Sequence, residues 1–166
     1  MFRLHWLIGF FYIFCFFYSN ICLAGGCDHT DKAFNCVKLL RVHDGDTFTV
    51  DIPSIHSFFG NGMSVRVLGI DTAEITGKTD CERKLALLAR QRTQEMLSKA
   101  IRIDLTEISK DKYFRLDSKV IMDSKVNLGD VLLSEGLAYK YEGDTKPKVD
   151  WCGKLSLYKK HNMVRD

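Results

Sequence analysis

Strand-length runs dominate the chain between Cys36 and Met122, and one long helix divides them. CVKLLRVH (Cys36–His43) and TFTVDI (Thr47–Ile52) have strand composition and are joined at Asp44-Gly45, a tight-turn signal. Val65–Ile70 reads as a third strand. Ile101, Ile103 and Leu105 alternate with Arg102, Asp104 and Thr106, the period of a half-buried fourth. Tyr113–Met122 is a fifth, after the polar turn Ser109-Lys110-Asp111-Lys112. Between the third and fourth, Thr79-Asp80-Cys81-Glu82 has the form of a capping box. The segment after it sets Leu85, Leu88, Ala89, Met96, Leu97 and Ala100 at helical spacing. Asn127 caps a shorter helix, LGDVLLSE, which Gly136 ends. Short strands left open would expose their edges, and a closed sheet removes them. This order predicts an α+β, mainly β fold: a five-stranded barrel of OB-fold type with two or three packed helices.

The chain has 166 residues, and its start reads differently from the rest. Arg3 precedes a stretch, Trp6–Gly26, without a charged residue, and Cys22-Leu23-Ala24 offers a small-residue exit. That order predicts a cleaved signal peptide over residues 1–24, hence a secreted or periplasmic protein, with no membrane association after cleavage. The alternatives are a retained membrane anchor or a lipidated Cys27. What remains suits one domain. With Arg3 gone, 23 of the 24 Lys+Arg face 21 Asp+Glu, a net of +2 that neither demands nor excludes a polyanionic partner. After the leader come Cys27, Cys36, Cys81 and Cys152, an even set that in an exported chain suggests disulfides. Zinc is the weaker reading, since no CxxC or CxxH pair starts a site. The pairing expected is Cys27 with Cys36, close in sequence, and Cys81 with Cys152, which would tie the tail to the body. Spacing alone does not fix it.

Two strand ends carry acids: Asp44-Gly45-Asp46-Thr47 and Asp71-Thr72-Ala73-Glu74. In a small barrel such ends can meet. Two carboxylates 4 Å apart repel by about 4 kcal/mol at an effective dielectric near 20, so the site holds a proton or recruits a cation. Oxygen donors without sulfur or paired histidines favour calcium or magnesium. Alone, each motif is an ordinary turn or cap; the combination points to function. Arg66 and Arg115 add two planar forks that can hold one phosphate from two sides. The expectation is that they face the acids across a phosphate-sized gap. His43 is either a proton donor to a leaving group or a plain strand-end residue. Phe58 and Phe59, in PSIHSFFGNG, either stack on bases or fold back over a barrel end, the second being favoured. The tail holds Lys140, Lys146, Lys148, Lys154, Lys159 and Lys160 with Tyr139, Tyr141 and Trp151. It is either a nucleic-acid track or a solvated tail fastened by Cys152.

DGDT (Asp44–Thr47), VRVLGIDTAE (Val65–Glu74), DKYFR (Asp111–Arg115) and EGLA (Glu135–Ala138), in that order, resemble the thermonuclease (staphylococcal nuclease-like) family over about Lys38 to Tyr141. The resemblance implies an OB-fold and calcium-dependent cleavage of DNA and RNA with little sequence preference, leaving 3′-phosphate ends. It implies calcium ligation by Asp46 and Asp71 and by the carbonyl of Thr72. It places Arg66 and Arg115 on the scissile phosphate, Glu74 as base or orienting group for the attacking water, and Lys112 and Tyr113 on a neighbouring phosphate. No stable protein partner is implied, so a monomer is expected. Residues 25–35 would be an extension, 36–142 the nuclease domain and 143–166 a tail tied by Cys152. The family usually has proline at Ala73 and glycine at Phe114. The rival readings are a non-catalytic OB-fold module that binds single-stranded nucleic acid, and a phosphatase for small esters.

Overall fold

The computed structural model describes residues 26–143 and 145–163, so the leader expected over 1–24 lies outside the described residues. The strands are β1 (Ala33–Phe34), β2 (Lys38–Val42), β3 (Thr47–Asp51), β4 (Met63–Val67), β5 (Ile70–Thr72), β6 (Ile103–Lys110), β7 (Leu116–Met122), β8 (Val126–Asn127) and β9 (Ala138–Lys140). The helices are α1 (Ser57–Gly60), α2 (Asp80–Lys99), α3 (Leu128–Ser134) and α4 (Trp151–Met163). The main sheet runs β1-β6-β7-β4-β3-β2, with β8 on β7, and β5 pairs β9 separately. Among the described ladders, β4 beside β7 is the parallel pair.

Alternation along the strands builds the core. Phe48 and Val50 of β3, Val65 and Val67 of β4, Leu105 of β6 and Val120 of β7 are buried on one side. Leu85, Ala86, Ala89 and Leu97 of α2 close over them, and Leu128 and Leu132 of α3 cover another end. Thr79 caps α2, its hydroxyl accepting the Glu82 N–H at 3.2 Å, an arrangement worth about 1 kcal/mol. Glu82 reaches back to the Lys78 N–H at 3.0 Å rather than to Thr79.

The expected closed barrel is not formed. Its seam would lie between β2 and β6, but β1 takes that edge of β6 at Leu105 and Thr106. The chain then bends at Cys36, where φ is 56°. Beyond the bend a backbone bond at 2.9 Å runs from the Val37 N–H to the Ile103 carbonyl. Asp104 accepts the Cys36 N–H at 2.8 Å, and the Cys27–Cys36 disulfide holds the same bend.

Other expectations also shift. The third strand breaks at Gly69 (φ 81°), which frees Ile70–Thr72 to pair with β9. The fifth strand begins at Leu116, not Tyr113. Asp111 draws the preceding residues into a turn by accepting the N–H groups of Tyr113 (2.7 Å) and Arg115 (2.9 Å). Phe114 sits in that turn at φ 63°, a left-handed conformation that glycine adopts without penalty. Its ring is exposed, with Lys110 Nζ 4.0 Å from the centroid. Ile101 is solvent-facing rather than half-buried. Phe58 and Phe59, on α1, are 80 % and 66 % exposed, which overturns the expectation that they cover the sheet. The tail forms α4, packed on α2 and joined to it by Cys81–Cys152 (Cα–Cα 5.0 Å).

Candidate active site

Asp46 reaches the interior because α2 clamps its turn. Thr93 donates its hydroxyl to the Gly45 carbonyl at 2.6 Å. A Cβ on Gly45 would lie 2.6 Å from the Ala89 Cβ, so the glycine is required by close approach. The next residue, Asp46, is 3 % exposed. It accepts from the Thr47 hydroxyl at 2.8 Å and from the Thr72 N–H at 3.0 Å. The second bond ties the DGD turn to β5, and so the two acidic motifs meet.

Asp71, on β5, is 2 % exposed. Arg66 lies between the acids: its guanidinium is 3.3 Å from Asp46 Oδ2 and 2.5 Å from Asp71 Oδ1. The expectation of a gap is therefore corrected for Arg66. β4 runs beside β3, with Thr47 opposite Arg66, and that register delivers the guanidinium to both carboxylates. Tyr139 donates its hydroxyl to Asp71 Oδ2, and Lys146 Nζ lies 3.0 Å from the same oxygen. Lys146 also reaches Glu74 Oε1 at 3.1 Å. Ala73 is buried and Glu74 half exposed, so the turn turns the carboxylate outward.

Above this charge cluster opens a cleft of about 540 Å³. Arg66, Glu74, Lys112, Tyr113 and Arg115 line it together with Asp111, Asp117, Tyr141 and Lys146. Arg115 is oriented by Asp111, whose Oδ2 accepts from Nε at 2.7 Å. Asp46, Asp71 and Thr72 lie outside the lining, behind Arg66. Thr72 is engaged here through its N–H. His43 is held on Thr49 at 2.6 Å and does not line the cleft.

Burial pushes the Asp46 carboxyl up, against the pull of Arg66. Asp44 is raised too, by burial and then by Asp46 and Glu74. Burial acts the same way on Asp71, but hydrogen bonds from Tyr139, Arg66 and Lys146 outweigh it and hold that carboxyl below its usual range. Tyr139 is raised in turn by burial and by its bond to Asp71. Burial is thus the first cause of the upward shift at both Asp44 and Asp46, with neighbouring carboxylates adding to it. Among the described residues no three acidic, histidine or cysteine side chains form a ready metal cage.

The sequence reading missed three residues of this cluster. Tyr139 and Lys146 were visible as part of a basic, aromatic tail and nothing more. Asp117 carried no signal; it pairs across from Arg66, and its Oδ1 is buried without a hydrogen-bond partner among the described residues.

The family described as staphylococcal nuclease homologue matches residues 64–160, more than half of the chain. The chain belongs to this family. The match starts at Ser64, so the DGDT turn precedes it and is joined to the matched region by the bond from the Thr72 N–H to Asp46. It extends past Tyr141 into α4. No curated protein matches the chain significantly.

Proposed function

We propose that this protein is a secreted, calcium-dependent nuclease that hydrolyses phosphodiester bonds of DNA and RNA with little sequence preference, leaving 3′-phosphate ends. The observation that carries the reading is one cleft lined by Arg66, Glu74, Lys112 and Arg115, backed directly by Asp46 and Asp71. Two disulfides suit an exported chain. The catalytic unit is taken as residues 36–142, with the later segment tied on by Cys152.

The ligand atoms that Asp46, Asp71 and Thr72 can offer are all oxygen, which fits a hard divalent cation. Asp46, Asp71 and the Thr72 carbonyl would hold it. When bound, calcium supplies charge for a phosphoryl oxygen. The protein's own groups do the rest. Arg66 and Arg115 grip the scissile phosphate and neutralise charge that spreads over its equatorial oxygens. Lys112 and Tyr113 take a neighbouring phosphate and set the register. Glu74, half exposed at the cleft, accepts a proton from water as its oxygen bonds to phosphorus. The bond to the 5′ oxygen breaks, and that oxygen takes a proton from solvent. General-base help of this kind is worth roughly 10²- to 10⁴-fold.

The test is incubation of supercoiled plasmid and single-stranded RNA with the oxidised protein, with calcium and then with chelator. Cleavage that needs calcium and leaves 3′-phosphates is expected. Intact plasmid that is retarded in a gel in both conditions would instead identify a binding module.

A further inference from the structure

Lys146 is the outer cation on the acid cluster, paired with both Asp71 and Glu74. It lies between β9, which pairs with β5, and α4, which starts at Trp151. Both of these elements are fixed: Tyr139 is in register with Asp71, and Cys152 is bonded to Cys81 at the start of α2. Lys154 also donates to the Ala138 carbonyl at 3.2 Å, drawing α4 toward β9. The chain so held carries the Lys146 ammonium to 3.0 Å from Asp71 and 3.1 Å from Glu74. Its side chain is 48 % exposed, whereas Arg66, the inner counter-ion, is 15 % exposed. Lys146 can therefore leave without opening the core.

We propose that Lys146 is a tethered counter-ion that holds Asp71 and Glu74 in the metal-free protein and sets the affinity for the divalent cation by competing for them. The inference rests on the calcium reading above. An ammonium and a divalent ion cannot both sit against Asp71 without strong repulsion. Binding thus proceeds only from the fraction of molecules in which the lysine has swung away, and apparent affinity falls by that fraction. With β9 and α4 both anchored, the ammonium stays at a high effective concentration near the acids. A latch open about one-tenth of the time weakens calcium binding about tenfold.

The experiment is calorimetric titration of calcium chloride into the full, oxidised protein without nucleic acid, for wild type, Lys146→Met and Lys146→Arg. Lys146→Met is expected to bind calcium about tenfold more tightly, and Lys146→Arg within about twofold of wild type. In parallel melts, Lys146→Met should lose Tm in chelator and regain the wild-type value at saturating calcium, which also shows that it folds. Clear calcium binding with equal or weaker affinity in Lys146→Met overturns this inference alone. No calcium binding in wild type or Lys146→Met overturns the calcium reading and this inference with it.

Discussion

Replacing Arg66 by methionine tests whether the two buried acids depend on the guanidinium between them. Asp46 and Asp71 are 3 % and 2 % exposed, and Arg66 contacts both. Methionine keeps much of the apolar volume but leaves the carboxylates facing each other. Breaking a buried ion pair in this way costs about 3–5 kcal/mol. Asp46 keeps Thr47 and Thr72, and Asp71 keeps Tyr139 and Lys146, so the lower end of that range applies. For a domain of this size the loss corresponds to a fall in Tm of roughly 10 °C. The assay is thermal and urea denaturation in chelator at pH 7 and pH 5. Without Arg66 both carboxyls titrate higher in the folded state. A carboxyl whose folded pKa exceeds its unfolded value holds its proton more tightly when folded, so the folded state gains as pH falls. The deficit should therefore shrink at pH 5. A loss below 1 kcal/mol at pH 7, or a deficit that widens on acidification, would refute the argument.

Glu74→Gln should lower the rate of plasmid cleavage by about 10²-fold or more while changing calcium affinity far less; comparable losses in both, by kinetics and calorimetry, would remove it as base. Replacing Cys81 and Cys152 together by serine opens a sequence separation of 71 residues. Chain entropy then gives a loss of about 4 kcal/mol, readable as a lower urea midpoint, and an unchanged midpoint contradicts it. Gly45→Ala should destabilise by about 1–3 kcal/mol, because the new methyl meets Ala89 at 2.6 Å and Thr72 at 2.9 Å; a neutral melt would mean that α2 stands further off.

The sequence by itself determined the elements and the chemistry on offer. Alternation wrote β3, β4 and β7 into the chain, and the box at Thr79 with its periodic leucines wrote α2. These are signals that a window of a dozen residues carries in full. The acids, the arginines and the four paired cysteines were legible in the same way, because each is a local choice of residue. Tertiary structure decided where they meet. The ladder stops short of closure because β1 fills the β6 edge and Cys36 bends the chain, a contest between distant segments that no local period encodes. Arg66 sits between Asp46 and Asp71, not across from them, because the β3–β4 register puts it there. Tyr139 and Lys146 join Asp71 from 68 and more residues away, carried by β9 and by the chain that Cys152 anchors. Burial then gives their charges weight: the same side chains in water would attract one another only feebly.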